Sequence, residues 1–205
     1  MPVLTTERLR LRKMTEVDAP ALVTIFGDPA VMRFLDGSPV TTEEEGRALI
    51  RWFGGHFEAK EAIRWGITIR GEDSVIGTCG FHRWDRAHRH VEIGYDLASN
   101  CWGRGYMTEA MRAVVAWCFG SLDVHRIEGD CTDGNLASER VMVKLGFRYE
   151  GTWRERCWEH GRFVDLTQFG LLRREWETAQ LDGDESSRTT PSGASSRAGS
   201  PPATG

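Results

Sequence analysis

Residues Asn100–Met111 read NCWGRGYMTEAM, and the meaning of the two glycines there decides the fold. Gly103 and Gly105 flank an arginine, and the chain then passes directly into an amphipathic pattern with apolar positions at Met107, Ala110, Met111, Val114 and Trp117. That spacing buries one face of a helix and leaves its first turn free. The first N–H groups of a helix have no partners inside it, and the helix dipole makes that end positive. Glycine removes the Cβ atoms that would hold an anion off the backbone, so the turn suits a phosphate or diphosphate. On these residues alone, a tight strand-to-helix connection fits as well. A dinucleotide fold would need a small residue where Thr108 stands, and no G-x-x-x-x-G-K-[ST] stretch occurs.

Outward from the turn, strand-like runs cover 63–70, 75–84 and 91–97, separated by the loops GEDS and DRAHRH. Beyond the glycine helix come a strand near 126–131, a helix over 136–145, and strands over 149–158 and 163–172 joined by EHGR, where Gly161 can take positive φ. Upstream, Leu9 and Leu11 alternate with arginines as in a half-buried strand. Thr15 and Asp18 open a helix carrying Leu22, Val23, Ile25 and Phe26, and Thr41–Thr42 with Glu44–Glu45 open another carrying Leu49, Trp52, Phe53 and Phe57. The order predicts one α/β domain of the α+β kind over 1–180. Its twisted, mostly antiparallel sheet would have about seven strands flanked by about four helices. From about residue 182 the chain is rich in Ser, Gly, Pro and Thr and lacks large apolar side chains, which predicts a disordered tail over 181–205.

The 205 residues suffice for one sizeable core, and eight tryptophans help to fill it. A formal net charge of −4 argues against a nucleic-acid partner gripped by phosphate neutralisation. No apolar run is long enough to span a membrane, and the N-terminal stretch lacks the apolar core of a signal peptide. Five cysteines without CxxC spacing fit a reducing cytoplasm and point away from disulfides and structural zinc. His82, His88 and His90 lack a metal-binding spacing, and no G-x-S-x-G elbow is present.

Three separated motifs, TERLRLR (6–12), WGRGYMTEAM (102–111) and DGNLASERVMVKLGF (133–147), together resemble the RimJ/RimL branch of the GNAT acetyltransferases. The likeness runs from about Thr5 to Trp176. It implies acetyl-CoA as cosubstrate without a metal, its diphosphate held at Trp102, Gly103, Arg104, Gly105, Tyr106 and Met107. The partner it implies is an amine, with a protein N-terminus as favourite, and it allows a homodimer. Small-molecule acceptors such as aminoglycosides, polyamines or amino acids also occur in this branch. One departure is Asn100, where the superfamily pattern begins with Gln or Arg. Arg104 could add a charge-assisted contact or simply be a solvated loop residue.

Aminolysis of a thioester needs a neutral amine, a donor for the oxyanion and a proton for the leaving thiolate. An α-amine with pKa near 8 costs only about 1.4 kcal/mol to neutralise at pH 7, whereas a lysine costs roughly 4–5 kcal/mol. Glu92, in the strand ahead of the turn, resembles the glutamate through which related enzymes deprotonate the amine. It could equally be a strand carboxylate paired with Arg89 or His90. The resemblance places oxyanion and pantetheine contacts on main-chain groups around Asp96–Ser99, with Leu97 foremost. Many members protonate the thiolate from a tyrosine seven residues after the motif asparagine, but Met142 stands there. Ser138 is the RimL-like substitute, and Asn135 would hold a pantetheine amide while also capping the following helix. Cys157 occupies the position of a RimL glutamate, while Glu155 and Glu159 read as surface charge in the hairpin. These departures keep a silent CoA-binding module in view as an alternative.

Overall fold

The computed structural model describes residues 1–188. Its strands are β1 (Leu4–Thr5), β2 (Leu9–Arg12), β3 (Ile63–Ile69), β4 (Val75–Asp85), β5 (His90–Leu97), β6 (Arg126–Thr132), β7 (Arg148–Glu159) and β8 (Arg162–Leu172). Its helices are α1 (Ala19–Phe26), α2 (Pro29–Met32), α3 (Glu43–Glu58), α4 (Tyr106–Ser121), α5 (Leu136–Lys144) and α6 (Arg173–Arg188). The strands form one sheet in the order β1-β2-β3-β4-β5-β6-β8-β7. Alternation dictates the outer strand β2, where Leu9 and Leu11 are fully buried and Arg10 between them is exposed. The central strands β3 and β4 are covered on both faces and read accordingly as apolar runs.

Opposite faces carry different helices. Trp65 on β3 meets Trp117 of α4 with ring centroids 5.5 Å apart, while its neighbour Arg64 lies 5.7 Å over Phe53 of α3. Adjacent strand residues point to opposite sides, so α3 and α4 sandwich the sheet. The apolar stripe read from the sequence is what α4 buries: Ala110, Met111 and Val114 are fully enclosed. Truncating Met111 to Ala would cost about 2–5 kcal/mol. At the far end of α4, Arg173 donates to the carbonyls of Phe119 (2.7 Å), Leu122 (3.2 Å) and Val124 (2.9 Å), and so caps that terminus with a cation.

Among the described residues, β5 and β6 are the one parallel pair, and parallel neighbours require a crossover, supplied by α4. Their pairing covers only His90↔Arg126, Val91↔Ile127 and Glu92↔Glu128. Beyond it, β5 stays with β4 through Leu97 and β6 stays with β8 through Thr132, so the two strands fork. Gly129 sits where the fork opens: a Cβ there would stand 3.1 Å from Ile93 Cγ1 and 3.2 Å from Met142 Sδ. Those two side chains occupy the room that a larger residue would need.

Among the described residues the structure has eight strands and six helices, where the sequence predicts about seven and four. The two-residue β1 and four-residue α2 are too short for periodicity to reveal. Helix α6 carries the chain to Arg188, past the point at which the sequence predicts a disordered tail. Residues 189–205 of that tail lie outside the described residues.

Candidate active site

The glycine turn needs glycine for its backbone and leaves its outer side open. Gly103 and Gly105 have φ of +72° and +78°, which an L side chain adopts only with strain. A Cβ on Gly103 would meet nothing within 4 Å, and one on Gly105 would meet only Arg8 Nη2 at 3.5 Å. Gly105 is the N-cap of α4, and no side chain caps this end. The first intrahelical donor is Glu109 N–H, 3.0 Å from Gly105 O, so the N–H groups of Tyr106, Met107 and Thr108 have no acceptor within the helix. Met107 itself is core, Tyr106 is half-buried, and Trp102 is exposed, with its indole N–H donating to Leu97 O at 2.7 Å. The Arg104 side chain is exposed, and its carbonyl accepts from Arg8 Nη1 at 3.1 Å.

Arg8 is a residue that sequence reasoning missed at this turn. Its guanidinium pairs with Glu109 at 2.6 Å and lies 4.7 Å over the Tyr106 ring. Thr6 Oγ1 also donates to Glu109, at 2.6 Å. The N-terminal motif TERLRLR therefore clasps the first turn of α4, a pairing across most of the domain that no local pattern could announce.

The fork supplies a second set of backbone groups. Ala98 N–H donates to Ile76 O at 2.9 Å, on the β4 side. Alternation along an antiparallel strand then turns the main-chain groups of Leu97 and Tyr95 the other way, into the gap left by β6. Across that gap stands the start of α5. Asn135 Oδ1 accepts from Ser138 N–H at 3.2 Å as the helix cap, and the Tyr95 phenol lies 2.8 Å from Ser138 Oγ. Met142 is 1% exposed and belongs to the core. Burial pushes the Cys131 thiol up to about 12, and that of Cys79 likewise, so neither is a nucleophile near neutral pH.

A cleft of about 1470 Å³ opens on the fork, walled by aromatic side chains such as Trp52, Phe53 and Trp84 and reaching Glu92, Tyr95 and Ser138. Leu97 and the glycine turn lie outside its lining, farther along the chain from β5 into α4. Glu92 stands on β5 opposite His82. It does not pair with Arg89 or His90. His82 Nε2 lies 2.9 Å from one carboxylate oxygen, and Arg83 Nη1 donates to the other at 3.0 Å. Burial acts to raise the Glu92 pKa, but the His82 hydrogen bond and the charges of His82 and Arg83 outweigh it and hold the carboxyl below its ordinary value. Asp130, on the diverging β6, is shifted the other way, first by burial and then by the charge of Glu92. Two carboxyls thus share the mouth of the fork with opposite tendencies.

The hairpin of β7 and β8 corrects another expectation. Register slips between Trp153 and Cys157, leaving Glu155 exposed in a bulge at φ +50° with its N–H on Asp165 Oδ1 at 2.7 Å. Glu159, by contrast, is no surface charge. It is 7% exposed, lines the cleft together with Cys157, and accepts from Thr132 Oγ1 at 3.0 Å.

The arrangement suits acyl-CoA: an uncapped positive helix end for a diphosphate, strand N–H groups facing a gap, and a cleft with an ionised carboxylate where an amine would enter. Comparison with known proteins agrees. A model described as an acetyltransferase (GNAT) domain matches residues 8–148. An uncharacterized N-acetyltransferase, p20 of Bacillus licheniformis, is 37% identical over 176 residues, covering 86% of this chain and 99% of the relative. The [ribosomal protein uS5]-alanine N-acetyltransferase of Escherichia coli is 25% identical over 180 residues, covering 84% and 92%. The crystal structure of a GNAT-family acetyltransferase from Bacillus anthracis superposes with a TM-score of 0.75 at 27% identity, covering 84% of this chain and 99% of that one. The chain is a member of the GNAT acetyltransferases, an N-acetyltransferase whose acetyl donor is acetyl-CoA.

Proposed function

We propose that this acetyltransferase transfers acetyl directly to a primary α-amine, with a protein N-terminus as acceptor. The observation that carries this reading is the double clamp on Glu92 by His82 and Arg83. A carboxylate held below its ordinary pKa is a weak base. Such a base can serve an α-amine, whose neutral form costs about 1.4 kcal/mol at pH 7, far better than a lysine that needs roughly 4–5 kcal/mol. The cleft, about 1470 Å³ and shared with the donor's end at Asn135 and Ser138, has room for the end of a polypeptide. The E. coli relative, named for acting on an alanine of ribosomal protein uS5, supports the same class.

When bound, acetyl-CoA supplies an acetyl group activated as a thioester. In this reading the N–H groups at the start of α4, from Gly103 to Met107, hold its diphosphate, with Arg104 free to add its charge. Asn135 and the gap-facing groups of Leu97 align the pantetheine arm along β5, and a main-chain N–H there meets the negative charge gathering on the thioester oxygen. Glu92 accepts, directly or through water, the proton that the amine sheds as the C–N bond forms. Ser138 hydrogen-bonds the sulfur as the C–S bond breaks.

An assay of thiol release with N-terminal peptides, lysine side-chain peptides, aminoglycosides and polyamines tests this directly. The reading expects kcat/KM for an N-terminal peptide to exceed that for the others by about tenfold or more, in keeping with the difference in amine pKa. A polyamine or aminoglycoside turning over fastest would overturn it.

A further inference from the structure

We infer that Tyr95 is a positioning residue for the thiolate-leaving step, its phenol turning the Ser138 hydroxyl toward the sulfur. This rests on the role given to Ser138 above. Tyr95 stands on β5 between Gly94 and Asp96, so its side chain leaves the sheet on the face opposite Glu92. It crosses the fork to the first turn of α5, where its oxygen is 2.8 Å from Ser138 Oγ and 3.2 Å from Ser138 O.

A phenol has one hydrogen, so it cannot donate to both oxygens. If it donates to Ser138 O, its own oxygen accepts from the serine, and the serine hydrogen is turned away from the cleft. If it donates to Ser138 Oγ, the serine hydrogen is released from the phenol, and the bound thioester sulfur then competes for it only with the neighbouring Cys131 thiol. The second arrangement uses the shorter contact, and within α5 the Ser138 carbonyl already faces the N–H of Met142 four residues on. Burial drives the phenol pKa well above its ordinary value, so Tyr95 keeps its proton throughout and acts as a fixed donor. No proton leaves Tyr95 in this step. The proton shed by the amine balances the one that the thiolate finally takes up.

A double-mutant cycle with Tyr95→Phe and Ser138→Ala tests the inference, reading kcat and KM for acetyl-CoA together with the melting temperature. Tyr95→Phe should lower kcat about tenfold, roughly the value of one well-placed hydrogen bond, and leave KM for acetyl-CoA unchanged. The same substitution in the Ser138→Ala background should lower kcat no further. An equal loss in both backgrounds would mean that Tyr95 acts through packing and would overturn the inference, as would full activity of Tyr95→Phe alone. Full activity of Ser138→Ala would instead remove the serine role on which the inference rests. Should Tyr95→Phe melt below the assay temperature, 3-fluorotyrosine at position 95 keeps the shape and strengthens the donor. Its effect on kcat should then appear only where Ser138 is present, and the same change without Ser138 would overturn the inference.

Discussion

Helices α3 and α4 have the same length of 16 residues, and their first turns are built in opposite ways. At α3, Thr42 Oγ1 accepts from Glu45 N–H at 3.2 Å, while the Glu45 carboxylate takes the N–H groups of Thr41 at 2.7 Å and Thr42 at 2.9 Å. The chain itself satisfies this terminus. At α4 the N-cap is a glycine in the left-handed region, no side chain caps the end, and the Arg8 guanidinium beside it is paired with Glu109. Uncapped ends are costly, so a chain that caps one helix with three residues and leaves the other bare offers those donors to a ligand in the reading proposed above. In that reading the difference separates a terminus built for stability from one proposed to bind.

Substitutions at the two ends should therefore fail differently. The largest effect is expected at the glycines. Gly103→Val or Gly105→Val forces a branched side chain into positive φ and covers the open donors, and should raise KM for acetyl-CoA by about 100-fold. Steady-state kinetics on protein shown to be folded by its melting curve measures this, and an unchanged KM would erase the contrast.

Next comes the acceptor side. Glu92→Gln should lower kcat/KM by about 10–100-fold for an amine of high pKa and by less for an α-amine. Equal losses for both acceptors would count against Glu92 as base. The pH profile sharpens the point. Because His82 and Arg83 hold Glu92 ionised from the acid range upward, the amine sets the slope. For an α-amine peptide, kcat/KM should rise about tenfold per pH unit below pH 7 and level off near pH 8. A break between pH 6 and 7 that disappears in Glu92→Gln would contradict the clamp.

The smallest effect belongs to α3. Thr42→Ala should cost about 1 kcal/mol of stability and leave KM for acetyl-CoA unchanged. Its partner Glu45 has a carboxyl held below the ordinary value, chiefly by the N–H groups of Thr41 and Thr42. A depressed carboxyl stabilises the fold above its unfolded pKa and loses that contribution as pH falls through the folded value. The penalty of Glu45→Gln, read from thermal melts, should accordingly shrink in acid below about pH 4.

These contrasts also show why the sequence revealed some parts and hid others. The α3 cap and the glycine turn are local: residues three apart or adjacent carry the whole signal, and both stand where the pattern put them. The two-residue alternation of β2 and the stripe on α4 were legible for the same reason. What stayed hidden depends on pairing across the sheet. Glu92 takes His82 and Arg83 because of the β4–β5 register, which the loop between them sets, and reading the loop alone suggested nearer partners. Glu159 is buried because the hairpin bulges and then folds over the fork, beyond the reach of simple alternation. Tyr95 meets Ser138 only because β5 and β6 part company after Glu92, a consequence of each strand following its other neighbour.

Calorimetric titration with acetyl-CoA and with acetylpantetheine, which lacks the diphosphate, tests the central claim that the bare start of α4 holds the coenzyme. The account predicts that wild-type protein binds acetyl-CoA at least about 100-fold more tightly, and that Gly105→Val loses most of this preference. Equal affinity for the two ligands, or a preference untouched by Gly105→Val, would contradict it.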